Sequence, residues 1–312
     1  MMAEDVEVVK EQNPNFRAGY CAIVGIPNAG KSTLLNALLG TKLSIMSHKP
    51  QTTRKRVLGI YSTPKEQIIF LDTPGIMTRP TTLLHRAMLE EVRRSFADAD
   101  VILVLAEAQQ RFDKALPDAW EQYKKIAGEK PIVLAVSKTD LVKKKTDLLP
   151  TLQHYGEMND FTEIIPISAT KKYNLNELVA ILRKYLPSTS PFFDEEQLSD
   201  QNDRFFVGEL IREVIFQKYK EEIPYSTEVE IQEFKERENG KWYVNAEILV
   251  ERDTQKAILI GREGAALKAV GERARHEIER FLEHPVYLEL HVKTRSDWRD
   301  NKRTLADLGY SV

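Results

Sequence analysis

One cysteine, Cys21, stands in the 312 residues. With no second thiol the chain can close no internal disulfide, which fits the reducing interior of a cell. No apolar run approaches the roughly 18 residues that a membrane-spanning helix needs. The first residues carry Glu4, Asp5, Glu7 and Glu11, not the basic-then-apolar order of a signal peptide. A cytoplasmic setting is therefore expected. Excess charge is lacking as well: 45 Lys and Arg against 47 Asp and Glu leave a formal net charge of -2. A polyanionic partner would have to be met by a local patch, not by the field of the whole chain. What remains, 42% apolar and 29% charged residues, is the composition of an ordinary globular protein long enough for two domains.

Against that background one stretch stands out, Gly25-Ile26-Pro27-Asn28-Ala29-Gly30-Lys31-Ser32, followed by Thr33 and an apolar run from Leu34 to Leu39. It matches G-x-x-x-x-G-K-[ST], in which backbone N–H groups cradle phosphate oxygens, the lysine reaches the outer phosphates and the hydroxyl ligates magnesium. The context agrees: residues 20–24 form a short apolar strand pattern and residues 31–39 a helical one, which sets a helix N-terminus against the anion.

Beyond the loop, residues 42–56 are polar and basic without a clear period, and are expected to form an exposed, mobile loop. Strands are expected at 57–61, 67–71, 101–105, 131–136 and 164–167, and helices at 83–96 and 120–127. A last helix should be capped by Asn174 and run to Leu186. Strands alternating with helices predict an α/β domain with a mostly parallel sheet. Its motifs, Asp72-Thr73-Pro74-Gly75, Ser137-Lys138-Thr139-Asp140 and Ser168-Ala169-Thr170, all follow strands, at the edge where open sheets bind ligands. Asp140 taken singly reads equally well as an N-cap.

Together with Pro50-Gln51-Thr52-Thr53-Arg54, these motifs in this order resemble the five guanine-nucleotide motifs of translation-factor-class GTPases. The wording G-x-P-N-x-G-K-S-T-L-L-N followed by P-Q-T-T-R resembles the Era family in particular. The resemblance implies GTP or GDP as ligand and slow, magnesium-dependent hydrolysis, with Lys31 between the β and γ phosphates. It also implies magnesium held by Ser32, by Thr53 (less readily Thr52) and through water by Asp72, and a γ-phosphate contact from Gly75 N–H. Asp140 would read the guanine N1–H and 2-amino donors, which adenine lacks. The Lys138 stem would lie along the ring and Ala169 N–H would meet O6. Two positions depart from the family. Ser137 replaces the usual asparagine, which predicts weaker nucleotide binding, and Ile76 replaces a water-orienting glutamine and cannot orient water. Asn28 matches the residue that helps bind potassium in relatives, so potassium-stimulated turnover is a further expectation.

Residues 188–203, with Pro187, Pro191 and the acidic Asp194, Glu195 and Glu196, read as a linker. A helical pattern from Phe205 to Ile215 follows, then two strands joined at Asn239-Gly240, and a short helix ending at Ile260. Gly261-Arg262-Glu263-Gly264, a long helix with Leu267, Val270, Ala274, Ile278 and Phe281 on one side, and a strand from Val286 to Val292 complete the chain. This order resembles the bacterial-type (type II) KH domain, whose G-x-x-G loop clamps single-stranded nucleic acid. Arg262 and Lys268 would add charge there and Glu263 would oppose it. The basic residues Lys293, Arg295, Arg299, Lys302 and Arg303 read as a solvated mixed-charge segment.

The expected division is an N-terminal extension (1–17), a GTPase domain (18–187), the linker (188–203), an α+β KH domain (204–300) and a C-terminal tail (301–312). The resemblance further implies a monomer that binds the 3′ end of small-subunit ribosomal RNA during assembly of that subunit. Peripheral association with the inner face of the membrane stays open. The rival reading is an RNA-binding module whose nucleotide fold is vestigial; an ATPase is a third, and Asp140 argues against it.

Overall fold

The computed structural model describes residues 15–47, 49–77, 79–109 and 117–311. Residues 1–14 of the expected extension, and His48, lie outside the described residues.

The first half runs β1 (Arg17–Gly25), α1 (Lys31–Leu39), β2 (Val57–Ser62), β3 (Glu66–Asp72), α2 (Leu83–Asp98), β4 (Val101–Glu107), α3 (Pro117–Ala127) and β5 (Ile132–Ser137). It ends with α4 (Leu149–Glu157), β6 (Glu163–Pro166) and α5 (Leu175–Lys184). Six strands form one sheet in the order β2-β3-β1-β4-β5-β6. Only the edge strand β2 runs antiparallel to its neighbour. Val101 to Ala106 of β4 and Val133 to Val136 of β5 are wholly buried, the continuous apolar pattern of parallel strands covered on both faces.

The second half contains α6 (Asp203–Lys218), a short helix α7 (Ile223–Ser226), β7 (Glu228–Lys235), β8 (Trp242–Val250), α8 (Asp253–Ile260), α9 (Ala265–Leu282), β9 (Val286–Thr294) and α10 (Lys302–Asp307). Its sheet has the order β7-β8-β9, with β7 antiparallel and β9 parallel to β8. Val270, Ala274 and Ile278 recur every fourth residue along α9 and are fully buried against Val244, Ala246 and Ile248 of β8.

Five local expectations are corrected. The loop at 42–56 is largely buried: Leu43, Ser44, Ile45, Thr52, Thr53 and Arg54 are all under 10% exposed. It is covered because Leu43 and Val57 pack with Phe206 of α6, a partner invisible to local periodicity. For the same reason α6 is not amphipathic but buried on nearly all sides, from Phe206 to Phe216. The linker is docked: Ile60 N–H donates to the Leu198 carbonyl at 2.8 Å and the Ser199 hydroxyl to the Leu58 carbonyl at 2.6 Å. It thus supplies partners to the otherwise open edge of β2. Asn174 stands before α5 in the left-handed conformation and makes no capping bond; its amide donates instead to the Pro166 carbonyl. The basic C-terminal segment is anchored, not solvated throughout. Trp298, Leu305, Leu308 and Tyr310 are buried with Leu84, Ala87 and Met88 of α2, and Arg299 pairs with Glu251.

Candidate functional site

The strand register gathers the motifs. Ile23 of β1 lies beside Asp72 of β3, Gly25 beside Leu105 of β4, and Glu107 beside Ser137 of β5. All therefore emerge at the C-terminal edge of the parallel sheet. Between β1 and α1 the chain turns through Asn28 (φ 67°) and Gly30 (φ 98°), the second a conformation that costs glycine little. The first turn of α1 has no capping side chain and no acidic residue, so its leading N–H groups are left for an anion. Lys31 is buried and donates to the Gly25 and Ile26 carbonyls at 3.2 and 3.1 Å. Burial lowers its pKa to about 8, opposed by the nearby Asp72 carboxylate.

Around the head of α1 three oxygens converge. The Ser32 hydroxyl donates to Asp72 Oδ2 at 2.9 Å and lies 3.0 Å from Thr53 Oγ1. Burial pushes the Asp72 carboxyl above its usual range, against the pull of Lys31 and of the Ser32 and Ser44 hydroxyls. Its Oδ1 is buried with no hydrogen-bond partner. A desolvated carboxylate oxygen beside two hydroxyls suits a hard cation that takes oxygen ligands, so the residues present fit magnesium. Among the described residues no cluster of three or more His, Cys, Asp or Glu could hold a metal by itself. A magnesium ion here would depend on nucleotide phosphates for the rest of its shell.

Gly75 closes the other wall. A Cβ at this position would come within 2.9 Å of Pro27, and the following N–H, of Ile76, donates to the Gly25 carbonyl at 3.0 Å. The Ile76 side chain is in the core, 1% exposed. The Thr73 hydroxyl secures the segment to the Ile23 carbonyl. No described contact assigns Thr33 or Pro74 a role of their own.

Past the end of β5 Asp140 is exposed and takes hydrogen bonds from Ser168 (2.5 Å) and Thr170 (3.3 Å). The Ser168 bond is the main reason its pKa lies below the ordinary value. Thus Asp140 does not serve as a helix cap: it lies within the short Thr139–Leu141 turn. The Thr139 hydroxyl donates to the Ile167 carbonyl, tying this turn to the segment carrying Ala169, and Lys138 pairs with Glu107 at 2.7 Å. The Ser137 hydroxyl lies 2.8 Å from the Ala29 carbonyl of the loop between β1 and α1 and 3.2 Å from the Ala106 carbonyl, donating toward both.

In the second half, Gly261 (φ 71°), Glu263 (φ 51°) and Gly264 (φ 78°) form a sharp exposed turn between α8 and α9. A Cβ on Gly261 would lie 2.6 Å from that of Ala266, so glycine is required for the close approach. The Arg262 and Glu263 side chains are 94% and 87% exposed and 3.9 Å apart. The carboxylate therefore sits in water, where its repulsion of phosphate is screened. Ile260 precedes the turn and Lys268 is exposed on α9. From the turn a groove of about 510 Å³ continues between α9 and β9, lined by Lys241, Leu267, Lys268, Arg275 and Leu290 among others. Lys241 and Arg275 were missed in the sequence. Arg275 lies seven residues after Lys268, on the same helix face, which is the signal that could have found it. Ser44 was missed too: its buried hydroxyl acts on the Asp72 carboxylate without reaching hydrogen-bond geometry, and Asn36 holds the backbone of residues 43–44 through three hydrogen bonds.

Comparison with known proteins agrees with both halves. The family described as 50S ribosome-binding GTPase matches residues 20–138, and the KH domain family matches residues 222–299. GTPase Era of Geobacter metallireducens is 43% identical over 303 residues, covering 96% of this chain and 99% of that protein. GTPase Era of Lacticaseibacillus paracasei is 42% identical over 295 residues, covering 95% and 97%. A solved structure of a single-residue variant of Aquifex aeolicus Era bound to GDP.AlF4- superposes with a TM-score of 0.89 at 41% identity, over 95% of this chain and all of that one. Era in complex with MgGDPNP and nucleotides 1506–1542 of 16S ribosomal RNA superposes with a TM-score of 0.88, again at 41% identity and with the same coverage. Identity above 40% over nearly the full length, with both domains in the same order, makes this chain a member of the Era family of GTPases.

Proposed function

We propose that this chain hydrolyses GTP to time its hold on the 3′ end region of small-subunit ribosomal RNA, acting in the cytoplasm as an assembly factor for that subunit. The observation that carries the reading is the meeting of Ser32, Thr53 and Asp72 within hydrogen-bond distance. Thr53 belongs to a loop packed against the KH domain, so whatever the nucleotide does to that loop reaches the RNA-binding half. That a relative was solved with MgGDPNP and 16S ribosomal RNA nucleotides together supports the coupling.

In this reading residues 25–33 wrap the phosphates and Lys31 neutralises the β and γ oxygens. Ser32, Thr53 and Asp72 would hold magnesium, which when bound would offset the charge that builds on the leaving phosphate oxygens. Gly75 N–H contacts the γ phosphate. Water attacks the γ phosphorus, the bond to the β-phosphate oxygen breaks, and GDP and inorganic phosphate leave. Asp140, Lys138 and Ala169 select guanine, and residues 260–264 with Lys268 clamp RNA. The domain boundaries follow the docked linker at 188–203. The test is hydrolysis by the purified chain alone: wild type should turn over GTP with magnesium, and Lys31→Ala should lower kcat by about 100-fold or more. No uptake of GTP by wild type would refute the reading, as would RNA crosslinks identical with GTP, GDP and no nucleotide.

Ile76 cannot orient the attacking water, so stabilisation must come from elsewhere. We place potassium at Asn28, which is exposed and turned into the left-handed region. Turnover should be faster in potassium than in sodium, by roughly tenfold on the scale of one lost electrostatic contact, and Asn28→Ala should abolish the difference. Comparing the two cations within each protein cancels any effect of loop strain. An equal rate in both cations for wild type would remove potassium from the mechanism.

A further inference from the structure

Thr53 lies between two arginines that cross the seam of the two domains in opposite directions. From the KH side, Arg212 of α6, fully buried, donates through Nη2 to the Thr52 carbonyl at 2.5 Å and is held by the Glu209 carboxylate. From the GTPase side, Arg54, 1% exposed, donates to the Thr227 carbonyl (2.7 Å), the Glu228 carboxylate (2.8 Å), and the Pro224 and Tyr225 carbonyls (3.1 and 2.9 Å). Both guanidinium groups lie over the ring of Phe216, at 5.8 and 5.3 Å from its centre. The peptide before Thr53 is thus gripped by the second domain, and the residue after it grips the second domain.

Such an arrangement is expensive. Arg212 keeps its Nη1 buried without a hydrogen-bond partner, and a buried charge incompletely paired is a poor source of stability compared with an apolar side chain of the same volume. A planar fork on a packed ring does, however, fix the position of an acceptor well. With consecutive Cα atoms only about 3.8 Å apart, anchoring residues 52 and 54 leaves Thr53 little freedom, and its hydroxyl is the one 3.0 Å from Ser32.

We propose that Arg212 is a positioning residue for GTP hydrolysis: the KH domain, through Arg212 on the Thr52 carbonyl, holds Thr53 at the magnesium site, so that the docked second domain is part of the catalytic apparatus. The inference rests on the role given to Thr53 above. It follows by linkage that an RNA ligand which pries α6 from the loop weakens the hold on GTP, and that GTP strengthens docking by the same factor.

The experiment uses the full chain with Arg212→Lys, Arg212→Met and Glu209→Gln, the last loosening the grip while leaving Arg212 in place. The readouts are kcat, magnesium-dependent affinity for a non-hydrolysable GTP analogue, and affinity for GDP. GDP has no γ phosphate, and we take the Thr53 contact to add to binding and turnover only with the triphosphate. GDP affinity should therefore stay within about twofold of wild type, while kcat and analogue affinity fall by about ten- to 100-fold, the scale of a misplacement of about 1 Å. Lys should lie between wild type and Met. GDP and GTP-analogue affinities falling together would show a structural role and overturn the inference, and so would a wild-type ratio of the two in the folded Lys and Gln variants. Absence of hydrolysis in the wild type would count against the proposed function itself, whereas wild-type hydrolysis with unaffected variants defeats the positioning role alone.

Discussion

Asp140→Asn should move the preference of the protein from GTP to xanthosine triphosphate. The Asp140 carboxylate already receives the Ser168 and Thr170 hydroxyls, which leaves its remaining lone pairs for the two guanine donors. An amide in its place presents an N–H group to the guanine amino group, donor against donor, and once the base covers this exposed side chain a mismatch of this kind discriminates by about 10⁴-fold. Xanthine carries an oxygen where guanine has that amino group, so it pairs with the amide instead. The serine and threonine hydroxyls rotate to suit either side chain. The check is a competition of both triphosphates for the same purified variant. A variant that still prefers GTP by more than tenfold would mean that Asp140 does not read the base.

The second large effect concerns stability. Arg54→Ala should cost about 3–5 kcal/mol, the range for removing one partner of a buried ion pair, and lower the unfolding midpoint by roughly 10 °C. Glu228 is then left buried beside an empty space. Burial by itself pushes that carboxyl upward, but Arg54, Lys55, Arg212 and the Tyr310 hydroxyl outweigh it and hold the pKa at about 2, from an ordinary 4.5. Among these groups Arg54 is the foremost. The folded state favours the charged form. This stabilisation is therefore fully present above pH 4.5 and is lost as pH falls toward 2. Denaturant unfolding of wild type and variant should accordingly differ most near neutrality and converge in acid. A gap that stays constant from pH 7 to pH 3 would assign the loss to packing on Phe216 and Trp298 rather than to the charge pair.

The two predictions differ in how far local sequence carries them. Asp140 and the phosphate loop were legible because their chemistry depends on short spacings: a lysine at the head of a helix, glycines where the backbone must turn through positive φ, a carboxylate just past a buried strand. Arg54 carried no such signal. It reads as one of several basic residues in a polar loop, and the acceptors that consume its hydrogen bonds lie at 224–228. Ser137 shows the limit from the other side. Comparing side-chain types implied weaker nucleotide binding; that the hydroxyl at the end of β5 reaches the Ala29 carbonyl is visible only in the fold.

By itself the amino-acid order determined most of the elements, their two groupings and the phosphate loop, since these follow from periodicity and from motifs within a few residues of one another. Tertiary structure alone decided that residues 42–56 are buried, that the linker and the C-terminal segment are docked, and that Arg54 and Arg212 bracket Thr53. The reason is that burial and partner choice depend on which distant surfaces meet. A polar residue looks the same in sequence whether water or a carbonyl some 170 residues away satisfies it.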